Sequence, residues 1–136
     1  MKRSRMTMIA AGLTLTAALQ QARADVVVIV SAQSAATITP KEISLVYLGE
    51  RNTLTPLDIA GPSVVRREFY AKVIGKDEGQ VKARWSKLVF TGKGSAPKEL
   101  PSGADVVKAV AADPHAFGYV DSSFVNITVK IILKVK

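Results

Sequence analysis

The sequence predicts an α/β protein, a three-layer sandwich built around a mixed sheet, and three observations carry that prediction. Val26-Val27-Val28-Ile29-Val30 is an unbroken β-branched run, the pattern of a strand covered on both faces. Several later segments pair helix-starting residues with apolar positions at helical spacing. Two short strand-like segments, residues 117–120 and 128–135, close the chain. Five or fewer strands exclude a TIM barrel.

The first 24 residues are set apart from this pattern. Lys2, Arg3 and Arg5 precede an uncharged, mostly apolar stretch, residues 6–19, and Ala22 and Ala24 supply an A-x-A pattern. Residues 1–24 are therefore expected to be a cleavable secretory signal, and residues 25–136 a single domain. A membrane anchor is the alternative, but a span needs roughly 20 consecutive apolar residues and this run stops at Leu19, before Gln20, Gln21 and Arg23.

In the remaining chain, residues 26–30 read as the central strand, in the parallel setting such runs usually have. Thr39-Pro40-Lys41-Glu42 then supplies an N-cap, a proline at the first helical position and a Glu three residues after the cap. Ile43, Val46 and Tyr47 share one helical face, and Gly49 is placed to end the helix in a left-handed conformation. Residues 54–60 read as a brief second strand, with Pro56 pointing to an edge or a strand start. Ser63 caps the next helix, whose stripe is Val65, Phe69 and Val73 and whose end is Gly75.

Asp77 and Gln80 form a second capping box, followed by an apolar face of Val81, Trp85, Leu88 and Val89, with Lys82, Arg84 and Lys87 mainly on the wet face. Residues 93–101 read as a loop by composition. Ser102 opens a helix carrying Val106, Val107 and Val110, which must stop before Asp113-Pro114 and leave a turn at His115. In the last strand, Val129, Ile131, Leu133 and Val135 alternate with Lys130 and Lys134.

Charge narrows the function classes. The formal charge is +8, but residues 1–24 hold four bases (Lys2, Arg3, Arg5, Arg23) and no acid, so what remains is 15 basic against 11 acidic residues, +4, spread along the chain. That distribution sets nucleic acid aside as a partner. With no cysteine, the chain has neither a disulfide nor the Cys acceptor of bacterial lipid anchoring, and a soluble periplasmic protein is the simplest reading.

The catalytic inventory is thin. His115 is the only imidazole, no G-x-S-x-G turn exists and no metal-ligand spacing occurs, so neither an enzyme nor a cofactor or metal is expected. Thr91-Gly92-Lys93-Gly94 lacks Walker spacing and follows a helix, which makes Gly92 a helix C-cap. Trp85, Phe90, Phe117 and Tyr119 fall on apolar periodic positions and read as core.

Two loops running into helix starts offer unpaired N–H groups to an anion. One is Ser31-Ala32-Gln33-Ser34, just past the carboxyl end of the buried strand, where open α/β sheets usually bind ligands. The other is Gly61-Pro62-Ser63, with Arg66 and Arg67 one turn into the helix. The candidate ligand contacts are Ser31, Gln33, Ser34, Ser63 and Arg66. At the second loop a plainer reading stands beside this one, in which Ser63 only caps the helix and the arginines are solvated.

Four segments in order carry a resemblance: Ile43-Ser44-Leu45-Val46-Tyr47-Leu48-Gly49, Arg67-Glu68-Phe69-Tyr70, Trp85-Ser86-Lys87-Leu88-Val89-Phe90-Thr91-Gly92 and Phe117-Gly118-Tyr119-Val120. Together they resemble the phosphate-type substrate-binding proteins of ABC transporters. The resemblance implies the type II periplasmic binding-protein architecture, normally two α/β lobes clamping an anion, of which this chain has the length of one. It carries over Ser63, with Arg66 as a nearby substitute; the family's Ser-Gly-Thr reads here Gly61-Pro62-Ser63-Val64-Val65, and Ser31-Ala32-Gln33-Ser34 replaces its glycine-rich anion loop. The implied function is a non-catalytic periplasmic module for inorganic phosphate or a similar oxyanion. Its implied partners are an ABC permease, an envelope protein or a second copy in a homodimer. The alternative is an envelope interaction or sensor-accessory protein that keeps the lobe and binds no ligand.

Overall fold

A computed structural model describes residues 24–136, and the expected export segment lies outside the described residues except for Ala24. In chain order the elements are β1 (Val26–Ser31), α1 (Pro40–Tyr47), β2 (Thr55–Ile59), α2 (Val64–Phe69), a π-helical turn (Tyr70–Ile74), α3 (Glu78–Phe90), β3 (Lys98–Leu100), α4 (Gly103–Ala112), β4 (Ala116–Asp121), a 3-10 turn (Ser122–Phe124) and β5 (Val129–Lys134). The strands form one mixed sheet in the order β3-β2-β4-β1-β5. β2 runs parallel to β3 and β4, and β1 runs antiparallel to both β4 and β5.

The helix starts follow the capping residues. Thr39 with Glu42 and Asp77 with Gln80 close reciprocal capping boxes, and the Ser63 and Ser102 hydroxyls accept the N–H groups of Arg66 and Asp105. Helices then cover both faces of the sheet. On the β4 face that carries Phe117 and Tyr119, Tyr47 of α1 meets Phe117 edge-on at 5.4 Å, and Phe69 of α2 stacks on Tyr119 at 4.0 Å. The alternate residue Gly118 faces α4, where an added Cβ would lie 2.8 Å from Val106 Cγ1. Three layers result, with β1 buried throughout.

Several expectations are corrected. The run at 26–30 is buried on both faces, yet β1 is antiparallel to its neighbours, and β4 holds the centre of the sheet. An unbroken apolar run reports that helices cover both faces; it does not report strand direction. The segment 93–101 contains β3, a three-residue edge strand too short to show periodicity. The stripe Val65, Phe69, Val73 is broken after Phe69, where the π-helical turn adds a residue and Gly75 N–H reaches back to Tyr70 O (2.8 Å). Beyond the break Ile74 is buried and Val73 is only half-buried; Tyr70, at the break, is buried too.

Phe90 is 92% exposed, because nine residues beyond Val81 a helix has turned about half a revolution away from its buried face. Arg84 leaves the wet face and donates from Nε to Leu48 O (2.6 Å) and from Nη2 to Glu50 (2.9 Å), while Trp85 Nε1 donates to Tyr47 O (2.8 Å). These bonds fasten α3 to the end of α1, where Gly49 has φ +75° and sits under Leu88 and Trp85. In β5 a bulge between the pairs Val28–Leu133 and Ile29–Ile131 resets the alternation, leaving Ile131 exposed and Ile132 half-buried.

The Gly118 contact gives a direct test of the α4–sheet layer. Gly118→Ala should lower stability by about 1–3 kcal/mol through overpacking against Val106. Urea unfolding measures it, and an unchanged midpoint would contradict the packing described.

Candidate functional site

The end of β2 holds a charged residue where the strand is otherwise apolar. Asp58 is 2% exposed, and a carboxylate so buried requires partners. It accepts the phenolic O–H groups of Tyr70, from the π-helical turn, and of Tyr119, from β4, together with the N–H of Ile59 at 2.9 Å. Nearby, the Tyr47 hydroxyl donates to Leu57 O at 2.6 Å. Tyr70 stands at the junction of α2 and the π-helical turn, its N–H still bonded to Arg66 O of α2.

Arg66 stands beside the cluster, one turn inside the Ser63 cap. Its Nη1 donates to Ile59 O (2.9 Å) and to Glu99 Oε1 (2.8 Å), its Nε faces Glu78 Oε1 at 3.7 Å, and its guanidinium carbon lies 5.1 Å from the Tyr70 ring centre. Neither Arg66 Nε nor Glu78 Oε1 has a hydrogen-bond partner. Burial pulls the guanidinium pKa down, but the Glu99 hydrogen bond and the charge of Asp58 more than offset it, so Arg66 stays charged. A cleft of about 570 Å³ opens here, lined by Asp58, Arg66, Tyr70, Glu78, Trp85 and Glu99 among others.

The two predicted loops do not converge on this cleft. β4 pairs antiparallel with β1 (Val30 opposite Phe117) and parallel with β2 (Ala116 opposite Thr55), so Ser31 lies by the start of β2, whereas Ser63 follows its end. The two loops are thus separated by about the length of β2, on the order of 15 Å. Because β1 runs opposite to the other four strands, its carboxyl end lies at their amino ends. Ser31 and Ser34 are buried and already occupied: Ser31 Oγ donates to Ala111 O of α4 and accepts Gln33 N–H, and Ser34 Oγ accepts Ala36 N–H. Gln33 is exposed. Ser63 Oγ accepts the Arg66 N–H at 3.2 Å, as a cap does. His115 lies exposed in the turn before β4, at the end away from Arg66.

Asp58, Tyr70, Glu78 and Glu99 are not among the site residues expected from the sequence. Asp58 carried a usable signal, an acidic residue between Leu57 and Ile59 in an apolar strand. Tyr70 and Glu99 did not, since Tyr70 lies off the Val65, Phe69, Val73 stripe and Glu99 depends on the short β3.

Tyr47, Tyr70 and Tyr119 are all the tyrosines of the chain, and burial, with the charge of Asp58 second, pushes each phenol well above its ordinary value. Unfolded tyrosine titrates near pH 10, so above that pH the unfolded chain loses protons that the folded chain keeps, and stability falls as pH rises. The slope should be about 1.4 kcal/mol per pH unit for each tyrosine. In a spectrophotometric titration, tyrosinate absorbance should appear only together with unfolding; tyrosinate formed near pH 10 in the folded protein would contradict the buried cluster.

No protein-family model and no curated protein matches the chain. Solved structures do. An ABC-type phosphate transport receptor from Vibrio cholerae superposes with a TM-score of 0.62 at 14% identity, over 80% of this chain and 45% of that one. A phosphate ABC transporter substrate-binding protein from Clostridium perfringens, solved with bound phosphate, gives 0.59 at 16% identity over 80% and 44%. PstS from Borrelia burgdorferi gives 0.58 at 13% identity over 80% and 46%. The chain thus spans less than half the length of the proteins it matches, and in fold it is similar to a single lobe of a phosphate ABC transporter substrate-binding protein.

Proposed function

We propose that the protein is an exported, single-lobe binding module of the phosphate-transporter type, which holds a small oxyanion without acting on it chemically. One observation carries this reading: Arg66 is kept charged at the carboxyl end of a parallel strand, on the wall of an open cleft, and is held there by its hydrogen bond to Ile59 O. A planar guanidinium offers paired donors to an oxyanion. Ser63, at the start of the same helix, is the second proposed contact. Ser31, Gln33 and Ser34, at the other end of the sheet, take no part in holding the same anion.

The arginine is already shared with Glu99 and Glu78. An incoming oxyanion must displace Glu99, whose side chain is half exposed, so binding is expected to be weak and to exchange readily. A single lobe also leaves the anion open to water on one side. The missing wall would come from a second copy or from a membrane permease, with residues 1–24 directing export to the periplasm. Among the described residues, no helix is long and apolar enough to cross a membrane.

The same carboxylates favour a second reading, in which the lobe has given up its ligand and serves as an envelope interaction or sensor-accessory protein. Thermal unfolding with phosphate or sulfate separates the two. Stabilisation follows RT ln(1 + [L]/Kd), about 1.4 kcal/mol at tenfold excess over Kd. The binding reading expects concentration-dependent stabilisation in the wild type, its loss in Arg66→Ala and its increase in Glu99→Gln. Absence of stabilisation in both wild type and Glu99→Gln would overturn it in favour of the second reading.

A further inference from the structure

The acidic surroundings of Arg66 contrast with a second cleft on the same molecule. Between α1, the π-helical turn and the end of β5 lies a cavity of about 390 Å³, whose lining includes four lysines, Lys41, Lys72, Lys134 and Lys136, and no acidic residue. Its floor is apolar, from Leu45, Val73, Leu133 and Val135, and Ser44 adds a hydroxyl. The lysines come from three segments far apart in sequence, so the fold, and no local charge run, brings them together. Of these four lysines only Lys72 has an ion-pair partner among the described residues, Glu68 at 3.7 Å; Lys41, Lys134 and Lys136 have none within 4 Å. Lys134 also borders a smaller groove beside Asp25.

Like charges gathered around one concavity repel one another and raise the local concentration of anions. Ammonium groups on flexible stems act as point charges that can close from several sides on one multiply charged group. The chemistry that meets this arrangement is a polyvalent phosphate, with room on the floor for a small apolar body. We propose that this cleft is a binding site for a polyvalent phosphate-bearing ligand, separate from Arg66 and independent of the function assigned to it.

Tripolyphosphate is the probe, titrated into the purified protein by calorimetry and by amide NMR. The expected shifts fall on Lys41, Ser44, Lys72, Lys134 and Lys136. The double variant Lys41→Gln/Lys134→Gln should weaken binding at least tenfold, whereas Arg66→Ala and the charge-matched control Lys87→Gln/Lys108→Gln should leave it unchanged. Equal weakening in the control would reduce the effect to net charge and overturn the site, as would shifts centred on Arg66, loss of binding in Arg66→Ala, or no binding at all. Vesicles of phosphatidylglycerol in phosphatidylcholine then identify the source. Cosedimentation that needs Lys41 and Lys134 points to a lipid headgroup, and retained tripolyphosphate binding without cosedimentation points to a free anion; both uphold the site.

Discussion

A buried carboxylate organises this molecule. Asp58 sits inside the sheet at almost zero exposure, and leaving such a group without partners costs several kcal/mol, so the surrounding elements must present donors to it. Two of those donors are tyrosine hydroxyls, one on β4 and one on the π-helical turn, and the third is the next N–H of β2. The cluster therefore fixes β2 against β4 and sets the position of the helical segment that begins at Ser63. Arg66 belongs to that segment, and its hydrogen bond to Ile59 O ties it to the same strand end. The geometry of the cleft follows from satisfying one charge.

Much of the architecture was legible because the residues that start and stop helices act locally. Thr39, Ser63, Asp77 and Ser102 each cap the helix assigned to them, and Tyr47, Phe69, Phe117 and Tyr119 lie in the core as their spacing implies. What escaped depended on partners distant in sequence. The direction of β1 is set by pairing with β4, whose residues lie some ninety positions along the chain. The π-helical turn interrupts a 3.6-residue period that no residue of the sequence marks, and Tyr70 lies beside the apolar stripe of that period, not on it. Glu99 was hidden in a strand of three residues that exists only because β2 offers an edge.

The direction of β1 also explains why the two candidate loops diverge. A rule that places ligands beyond the carboxyl ends of strands holds for the parallel members of a sheet. Applied to the one antiparallel strand, it selects the opposite end, where the Ser31 hydroxyl donates to Ala111 O of α4 and the Ser34 hydroxyl accepts within a local turn. The parallel strand β2 leads instead to Arg66. Charge is divided between two regions, with Asp58, Glu78 and Glu99 around that arginine and lysines around the cleft beside α1 and β5. An overall positive charge alone would have concealed this separation.

Asp58 and its tyrosines act as one unit. A double-mutant cycle on Asp58→Asn and Tyr119→Phe, read by urea unfolding, measures the coupling between them. A single unit requires a coupling of about 1–3 kcal/mol, as for groups joined in one hydrogen-bond network. Additivity to within about 0.5 kcal/mol would mean that the two residues are stabilised separately, and the organising role given to Asp58 would be wrong.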